Sequence, residues 1–303
     1  MHRYSVKHVV LFLMATAHVV APLSHDWTTN RRDVLKIAAA GIGGSAYTVL
    51  VGKVFSKISR GLVFPESHER RVKSTISTAL TAAAKKQLDS NDRRVLRVLE
   101  VGVGEECRMI RRGLYEDALQ ELQSMGAEEV MISGVDIKTP KKEILLDAAD
   151  MLQHDTDDGF KAGFQFLSAD VTEPLPFPQS YFDAVVCSLT LCSVEDQITA
   201  LEGIKAVLKP DGGTFGYVEH VAVEPDEDYR FLDWQQRTLD PLQQKVASNC
   251  HLHRRTEASI ADVFQLEEGS SSWLAHERFL VDDMWPVSCQ CCGVIQRDAA
   301  RTS

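Results

Sequence analysis

Beyond its first sixty residues this sequence is short of positive charge. Residues 1–60 hold eight Lys/Arg against two Asp/Glu, whereas the remaining 243 positions hold 25 against 41, so the body carries −16 of a net −10. Gripping a phosphate backbone needs a basic footprint, and an acidic body argues against nucleic acid as substrate or partner. Regular cysteine spacing is also missing. The seven cysteines, an odd number irregularly placed, make no disulfide framework. Cys289, Cys291 and Cys292 lack zinc-knuckle spacing. Cys250-His251-Leu252-His253 is the better metal candidate, yet no second pair of ligands matches it in the sequence, and no metal is expected. There are no internal repeats and no low-complexity tracts; Ser270-Ser271-Ser272 after Gly269 is a loop.

An unbroken apolar run of about 20 residues, the length of a membrane span, is lacking as well. The nearest approach is Val34 to Val51, 18 residues with one lysine. The basic, acid-poor head around it has the pattern of a targeting segment. Arg3, Lys7 and His8 precede the apolar run Val9 to Ala17, which ends in Ala15-Thr16-Ala17, as in a secretory signal with an A-x-A site. Then Thr29-Asn30-Arg31-Arg32-Asp33-Val34-Leu35-Lys36 leads into small apolar residues and resembles a twin-arginine signal. The two in series are the arrangement of plastid and thylakoid import. The alternative is an ER membrane anchor, in which Gly41 and Ser45 form a small-xxx-small face. Either way, residues 1–60 are expected to be a segment apart, with possible membrane association through the N-terminus.

What is present downstream is regular alternation. Glu66 to Leu88 carries Val72, Ile76, Leu80, Ala84 and Leu88 four apart, an amphipathic helix. Val95 to Val101 reads as a buried parallel strand that runs into Gly102-Val103-Gly104, a turn where the chain can approach a ligand closely. Ile110, Leu114, Ala118 and Leu122 then predict one helix, Val130 to Val135 a second strand ending at Asp136, Lys141 to Met151 a helix, and Phe164 to Leu167 a third strand. The proline-rich Thr172 to Pro178 feeds a fourth strand, Phe182 to Ser188. A helix follows, with Ile198, Leu201, Ile204 and Leu208 on its face, stopped by Pro210 and Gly212-Gly213; a fifth strand begins at Thr214. A helix at Ile260 to Phe264 and strands near Leu274 to Val281 and Gln290 to Gln296 complete the chain. Residues 221–255 are left over, too long for a simple loop.

The words Leu175-Pro-Phe-Pro, Phe182-Asp-Ala-Val and Val207-Leu-Lys-Pro-Asp-Gly-Gly213, together with the glycine turn, resemble those of class I S-adenosylmethionine-dependent methyltransferases. The resemblance implies an α/β, Rossmann-like, seven-stranded sheet with helices on both faces. It divides the chain into residues 1–60, an N-terminal helix within 61–94 packing on the core, and a methyltransferase domain over 95–303 with 221–255 as lid and substrate element. It implies S-adenosylmethionine as cofactor, held by Glu100, Gly102 and Gly104 of the loop, by Asp136 at the ribose, by Asp170 and Val171 at the adenine, and by Ser188 at the methionine end. The loop departs from the family where a third glycine is usual, since that position is Glu106. A dinucleotide's pyrophosphate at this helix start would be repelled by Glu105 and Glu106, whereas a sulfonium and an ammonium tolerate them.

A narrower likeness lies in Asp183 to Val194 (DAVVCSLTLCSV), Tyr217-Val-Glu-His-Val221, Trp234-Gln-Gln, Leu239-Asp-Pro and Asn249-Cys-His-Leu. In order and spacing these resemble the membrane-anchored methyltransferase-like thiol S-methyltransferases of animals. That likeness implies a small-molecule or lipid-like acceptor, a thiol methylated at sulfur. His220, at a strand end, is the candidate to receive the thiol proton or hold the thiolate; Trp234, Gln235 and Asp240 are candidates to wall the pocket, orient the acceptor or fasten the lid. The alternatives are C- or O-methylation of a quinone or other lipid, and a catalytically silent methyltransferase-like binding protein.

Overall fold

A computed structural model describes residues 64–88, 94–155, 159–267, 270–281, 284 and 287–297; the readings made above for residues 1–60 lie outside the described residues. Near-continuous apolar runs such as Val95-Leu-Arg-Val-Leu-Glu-Val and Ala184-Val-Val-Cys-Ser suit strands covered on both faces, and they stand at the centre of the sheet. In chain order the elements are α1 (Glu66–Gln87), β1 (Val95–Val101), α2 (Arg108–Arg111), α3 (Glu116–Ser124), β2 (Glu129–Asp136), α4 (Lys142–Leu152), β3 (His154–Asp155), β4 (Lys161–Ser168), β5 (Ala184–Ser188), α5 (Gln197–Val207), β6 (Thr214–His220), α6 (Arg230–Val246), α7 (Thr256–Phe264), β7 (Trp273–Leu280) and β8 (Cys289–Gln296).

The strands form one sheet in the order β3-β4-β2-β1-β5-β6-β8-β7. β4, β2, β1, β5 and β6 are parallel, and β8 runs antiparallel between β6 and β7. This is the expected seven-stranded Rossmann-like arrangement with a two-residue edge strand, β3, added antiparallel to β4. Two bridges need no side-chain pattern, which is why the sequence does not announce β3. Helices cover both faces. Val72, Ile76 and Leu80 of α1, Ala118 and Leu122 of α3 and Ala148 of α4 share one buried cluster; Leu201 and Ile204 of α5 and Ile260 and Phe264 of α7 share the other. From β1 the chain builds outward to β2 and β4, then returns to β5 on β1's other side. The strand order therefore reverses at β1/β5, and open α/β sheets bind ligands outside the strand ends at such a reversal.

Three local expectations are corrected. Ile110, Leu114, Ala118 and Leu122 are all buried, but not on one helix: the chain turns at Gly113 (φ +64°) between α2 and α3. Ile198 is 42% exposed at the start of α5, where Asp196 caps the helix by accepting from the Ile198 and Thr199 amides. Buried Ala200 and Val207 complete the face that Ile198 leaves. Within 221–255, for which the sequence pattern assigns no element, residues 230–246 form the 17-residue α6, with Leu239-Asp240-Pro241 inside it.

Candidate active site at the strand ends

The turn after β1 is held from both sides. Gly102 has φ +77°, and a Cβ there would stand 2.1 Å from Thr190 Oγ1, so the turn lies flush against the loop after β5. Gly104 (φ +68°) has open space where a Cβ would be. Its amide donates to Asp136 Oδ2 at 2.9 Å, and the Lys138 amide donates to Asp136 Oδ1 at 2.9 Å. Asp136 at the end of β2 therefore organises the loop it faces. The missing third glycine is accommodated by charge pairing: Glu106 meets Arg111 at 2.8 Å and Glu105 meets Lys138 at 3.3 Å, and Cys107 takes the left-handed conformation at φ 45°. Asp170, beyond β4, is exposed and closes a local turn by accepting from the Thr172 amide and hydroxyl at 2.9 and 2.7 Å. Val171 beside it is buried.

Beneath the loop lies a set of buried polar groups. Tyr115 Oη donates to Glu100 Oε2 at 2.8 Å, while Glu100 Oε1 has no hydrogen-bond partner among the described residues. Burial pushes this carboxyl up to about 7, against the pull of Tyr115 and Arg108. Arg108 donates through Nη2 to Ser188 Oγ at 3.2 Å and covers the Phe64 ring at 4.3 Å, and its Nη1 is equally unpartnered. Burial lowers the Arg108 guanidinium to about 10. His68 of α1 bonds Gln290 Oε1 through Nδ1 at 2.8 Å; burial and the Arg108 charge hold it down to about 3, a neutral ring, and its Nε2 is unpartnered. An unpartnered carboxylate oxygen near an unpartnered guanidinium nitrogen complements a zwitterion, one ammonium and one carboxylate. Together with the room at Gly104, these orphaned atoms fit the amino-acid end of S-adenosylmethionine.

On the other side of the switch point, Glu219 of β6 is wholly buried. It accepts the amides of Thr190 at 2.8 Å, Leu191 at 3.0 Å and Cys192 at 3.2 Å, fixing the loop after β5. Burial raises its carboxyl, and those three amides oppose the shift. His220, also buried, lies 2.7 Å from the His251 carbonyl through Nε2. Cys250 Sγ sits 3.7 Å from His220 Nε2 and 4.0 Å from Nδ1. Cys192 completes the group: the donor atoms of Cys192, His220 and Cys250 all lie within 4.8 Å of one another. The Cys192 contact and His220 pull Cys250 well below the ordinary thiol range, and Cys192 moves well above it. Burial pulls His220 down, but Cys250 and Glu219 outweigh it and the net shift is upward.

The three acceptor candidates stand apart. Trp234 is 51% exposed and stacks on Phe231 at 5.7 Å on the outer side of α6. Gln235 is adjacent; the buried member of the pair is Gln236, which donates to the Val221 carbonyl and accepts the Val223 amide at 2.8 and 2.9 Å. Asp240 accepts the Leu252 amide at 2.5 Å and Gln244 Nε2 at 2.6 Å, so it fastens α6 to the turn that carries Cys250. Glu100, Gly102 and Gly104 thus stand at the end of β1, Asp136 at the end of β2 and Ser188 at the end of β5, with Asp170 and Val171 just beyond β4 and His220 at the end of β6, on neighbouring parallel strands. Arg108, His68 and Glu219 were missed as individual site residues. Nothing around His68 or Arg108 in sequence distinguishes them from a solvated helix face; Glu219, beside His220 in a shared word, was the findable one.

Residues 120–215 match the methyltransferase-domain family, and the strand order, with its terminal antiparallel strand, is the arrangement expected of a class I S-adenosylmethionine-dependent methyltransferase fold. The chain's likeness is to the thiol S-methyltransferases. The chain is 39% identical to thiol S-methyltransferase TMT1B of Rattus norvegicus over 94 residues, 31% of this chain and 36% of the relative. It is 43% identical to human thiol S-methyltransferase TMT1A over 74 residues, 24% and 29% of the two chains. A ubiquinone/menaquinone biosynthesis C-methyltransferase, UbiE of Coxiella burnetii, is 41% identical over 56 residues, 18% of this chain and 22% of that one. The matches thus span about a third or less of the curated relatives' length.

Proposed function

We propose that the protein methylates the sulfur of a small lipophilic thiol, with S-adenosylmethionine as donor. The observation that carries this reading is the buried His220 at the carboxyl end of β6, beside two cysteines, within the Tyr217-Val-Glu-His-Val221 word that resembles the thiol-methylating group. The cofactor supplies an electrophilic methyl on a sulfonium that departs as a neutral thioether. In this reading Glu100 Oε1 takes the ammonium, Arg108 Nη1 the carboxylate, Asp136 the ribose hydroxyls, and Asp170 with Val171 the adenine. Charged partners make these the stronger hydrogen bonds. With Nε2 engaged by the His251 carbonyl, Nδ1 of His220 is the atom to hold the acceptor's thiol or accept its proton. Thiols need only modest help, their pKa being about 8.5.

Transfer of labelled methyl to a panel of small thiols, quinones and sterols tests the reading. Thiols alone are expected to be labelled. Labelled quinones with unlabelled thiols would replace it with the second reading, C- or O-methylation of a lipid, which the UbiE match favours. Absence of S-adenosylmethionine binding would mark a silent binding protein. The head is proposed to direct the protein to a plastid or to anchor it in the ER; among the described residues no helix is long and apolar enough to cross a membrane.

A further inference from the structure

We infer that Cys192, His220 and Cys250 form a site for a soft divalent cation, zinc, with a fourth position open to the acceptor's thiol. The position of the site relative to the acceptor rests on the reading above; binding of the ion does not. The three donors come from three segments, the loop after β5, the end of β6 and the turn after α6; of the Cys250-His251-Leu252-His253 word only Cys250 joins the group, and its partners come from the other two segments. Their donor atoms nevertheless lie within 4.8 Å of one another. Zinc with Zn–S near 2.3 Å and Zn–N near 2.0 Å in tetrahedral array sets neighbouring donors about 3.5–3.8 Å apart, and Cys250 Sγ is 4.0 Å from His220 Nδ1, a little wider than the ion would draw them.

The segments are clamped to one another independently of any ion. The His251 amide donates to the Cys192 carbonyl at 2.9 Å, Asn249 Nδ2 donates to the Ser193 carbonyl at 3.1 Å, and the Cys192 amide is held by Glu219. The surroundings are those of a ligand shell. His220 Nε2 faces the His251 carbonyl at 2.7 Å, an arrangement that puts the ring proton on Nε2 and the lone pair on Nδ1 and orients the ring, as outer-shell carbonyls do at metal sites. Gln243 Nε2 donates to Cys250 Sγ at 3.4 Å, and Arg254 lies close by, donating to the Leu191 and Val194 carbonyls at 3.0 and 2.6 Å. Two thiolates and a neutral imidazole balance a dication. No fourth His, Cys, Asp or Glu joins the group among the described residues, and three protein ligands with one vacancy is the arrangement of catalytic rather than structural zinc.

The chemistry follows from the vacancy. A thiol that takes the fourth position binds as thiolate and releases its proton to water, since a coordinating thiol is deprotonated outright. The ligated sulfur keeps a lone pair for the methyl carbon: the new carbon–sulfur bond forms as the methyl–sulfonium bond breaks, and that electron pair stays on the departing sulfur. His220 then serves the acceptor through the ion instead of taking its proton.

The test uses the full chain purified with reductant and without chelator. Elemental analysis is expected to find one zinc per chain. Replacement by cobalt is expected to give thiolate-to-metal charge transfer and a tetrahedral visible spectrum, which shifts when a small thiol is added. Both signals should be lost in Cys192→Ser and Cys250→Ser and kept in Cys292→Ser, with S-adenosylhomocysteine calorimetry reporting that each variant is folded. Should the serine variants not fold, protection of Cys250 from alkylation by zinc in the unaltered chain gives the same reading. A metal-free chain with an octahedral cobalt spectrum, or a Cys192–Cys250 disulfide found by mass spectrometry of the native protein, overturns the site. A zinc-bound chain that methylates no thiol leaves the ion site standing and removes the proposed acceptor. Thiol methylation undiminished after zinc removal overturns the vacancy's role.

Discussion

Arg108 Nη2 donates to Ser188 Oγ at 3.2 Å, tying the helix after the glycine turn to the end of β5 across the point where the strand order reverses. The same guanidinium leaves Nη1 buried and unpartnered. A carboxylate is the complement it lacks. Arg108→Met is therefore expected to weaken S-adenosylmethionine binding by about 1.5–3 kcal/mol, the range for a hydrogen bond to a charged group, and Ser188→Ala by less. Calorimetry checks both; equal affinities for the wild type and Arg108→Met would remove Arg108 from the cofactor site.

Asp136 fastens Gly104 through its amide. Asp136→Ala is expected to cost about 1.5–3 kcal/mol of affinity for S-adenosylmethionine and S-adenosylhomocysteine alike, while NAD shows no heat with either protein. Unchanged affinity would mean that Asp136 only shapes the loop.

Glu100 provides a pH signature. Its folded-state pKa is raised from 4.5 to about 7 by burial, so the folded chain holds a proton that the unfolded chain has already lost. Stability contributed by this group is complete below the unfolded value and is lost as pH rises toward the folded one. Glu100→Gln should match the wild type near the lower bound and exceed it above the upper by roughly 3 kcal/mol, at about 1.4 kcal/mol per pKa unit. Urea unfolding of the cofactor-free protein across that window reads the difference, and a pH-independent gap would show that burial is not its cause. The same variant should bind the cofactor less well.

His220→Ala is expected to lower turnover with a thiol most at pH values below the thiol's own pKa of about 8.5, with the loss shrinking as thiolate forms unaided. Cofactor affinity should stay nearly constant, since His220 stands at the end of β6 with His251 and Cys250 as its partners. A loss independent of pH reduces the imidazole to a packing role.

A fluorescent reporter carrying residues 1–60 should leave the cytosol for a plastid or the ER. Changing Arg31 and Arg32 to Lys should block the twin-arginine route alone. A diffuse reporter refutes both destinations.

The order of elements was legible in the sequence because it rests on local rules. Apolar runs ended by glycine, helical spacing in α1, and acids at the ends of β1 and β2 each act within a few residues of chain, and they place Glu100, Gly102, Gly104 and Asp136 at or just beyond the ends of two paired strands. Less legible were features set by competition among neighbours. Gly113 breaks a helix that its flanking apolar spacing continues, and the Asp240 carboxylate finds the Leu252 amide from within α6. Only the tertiary structure could decide the rest. Cys192, His220 and Cys250 are far apart in sequence, and their pairing depends on parallel strands that bring β5 and β6 together and on a turn folded back over them. Arg108 and His68 become site residues for the same reason: packing of α1 against the sheet removes them from water, and burial turns an ordinary surface charge and an ordinary histidine into groups with an unmet partner.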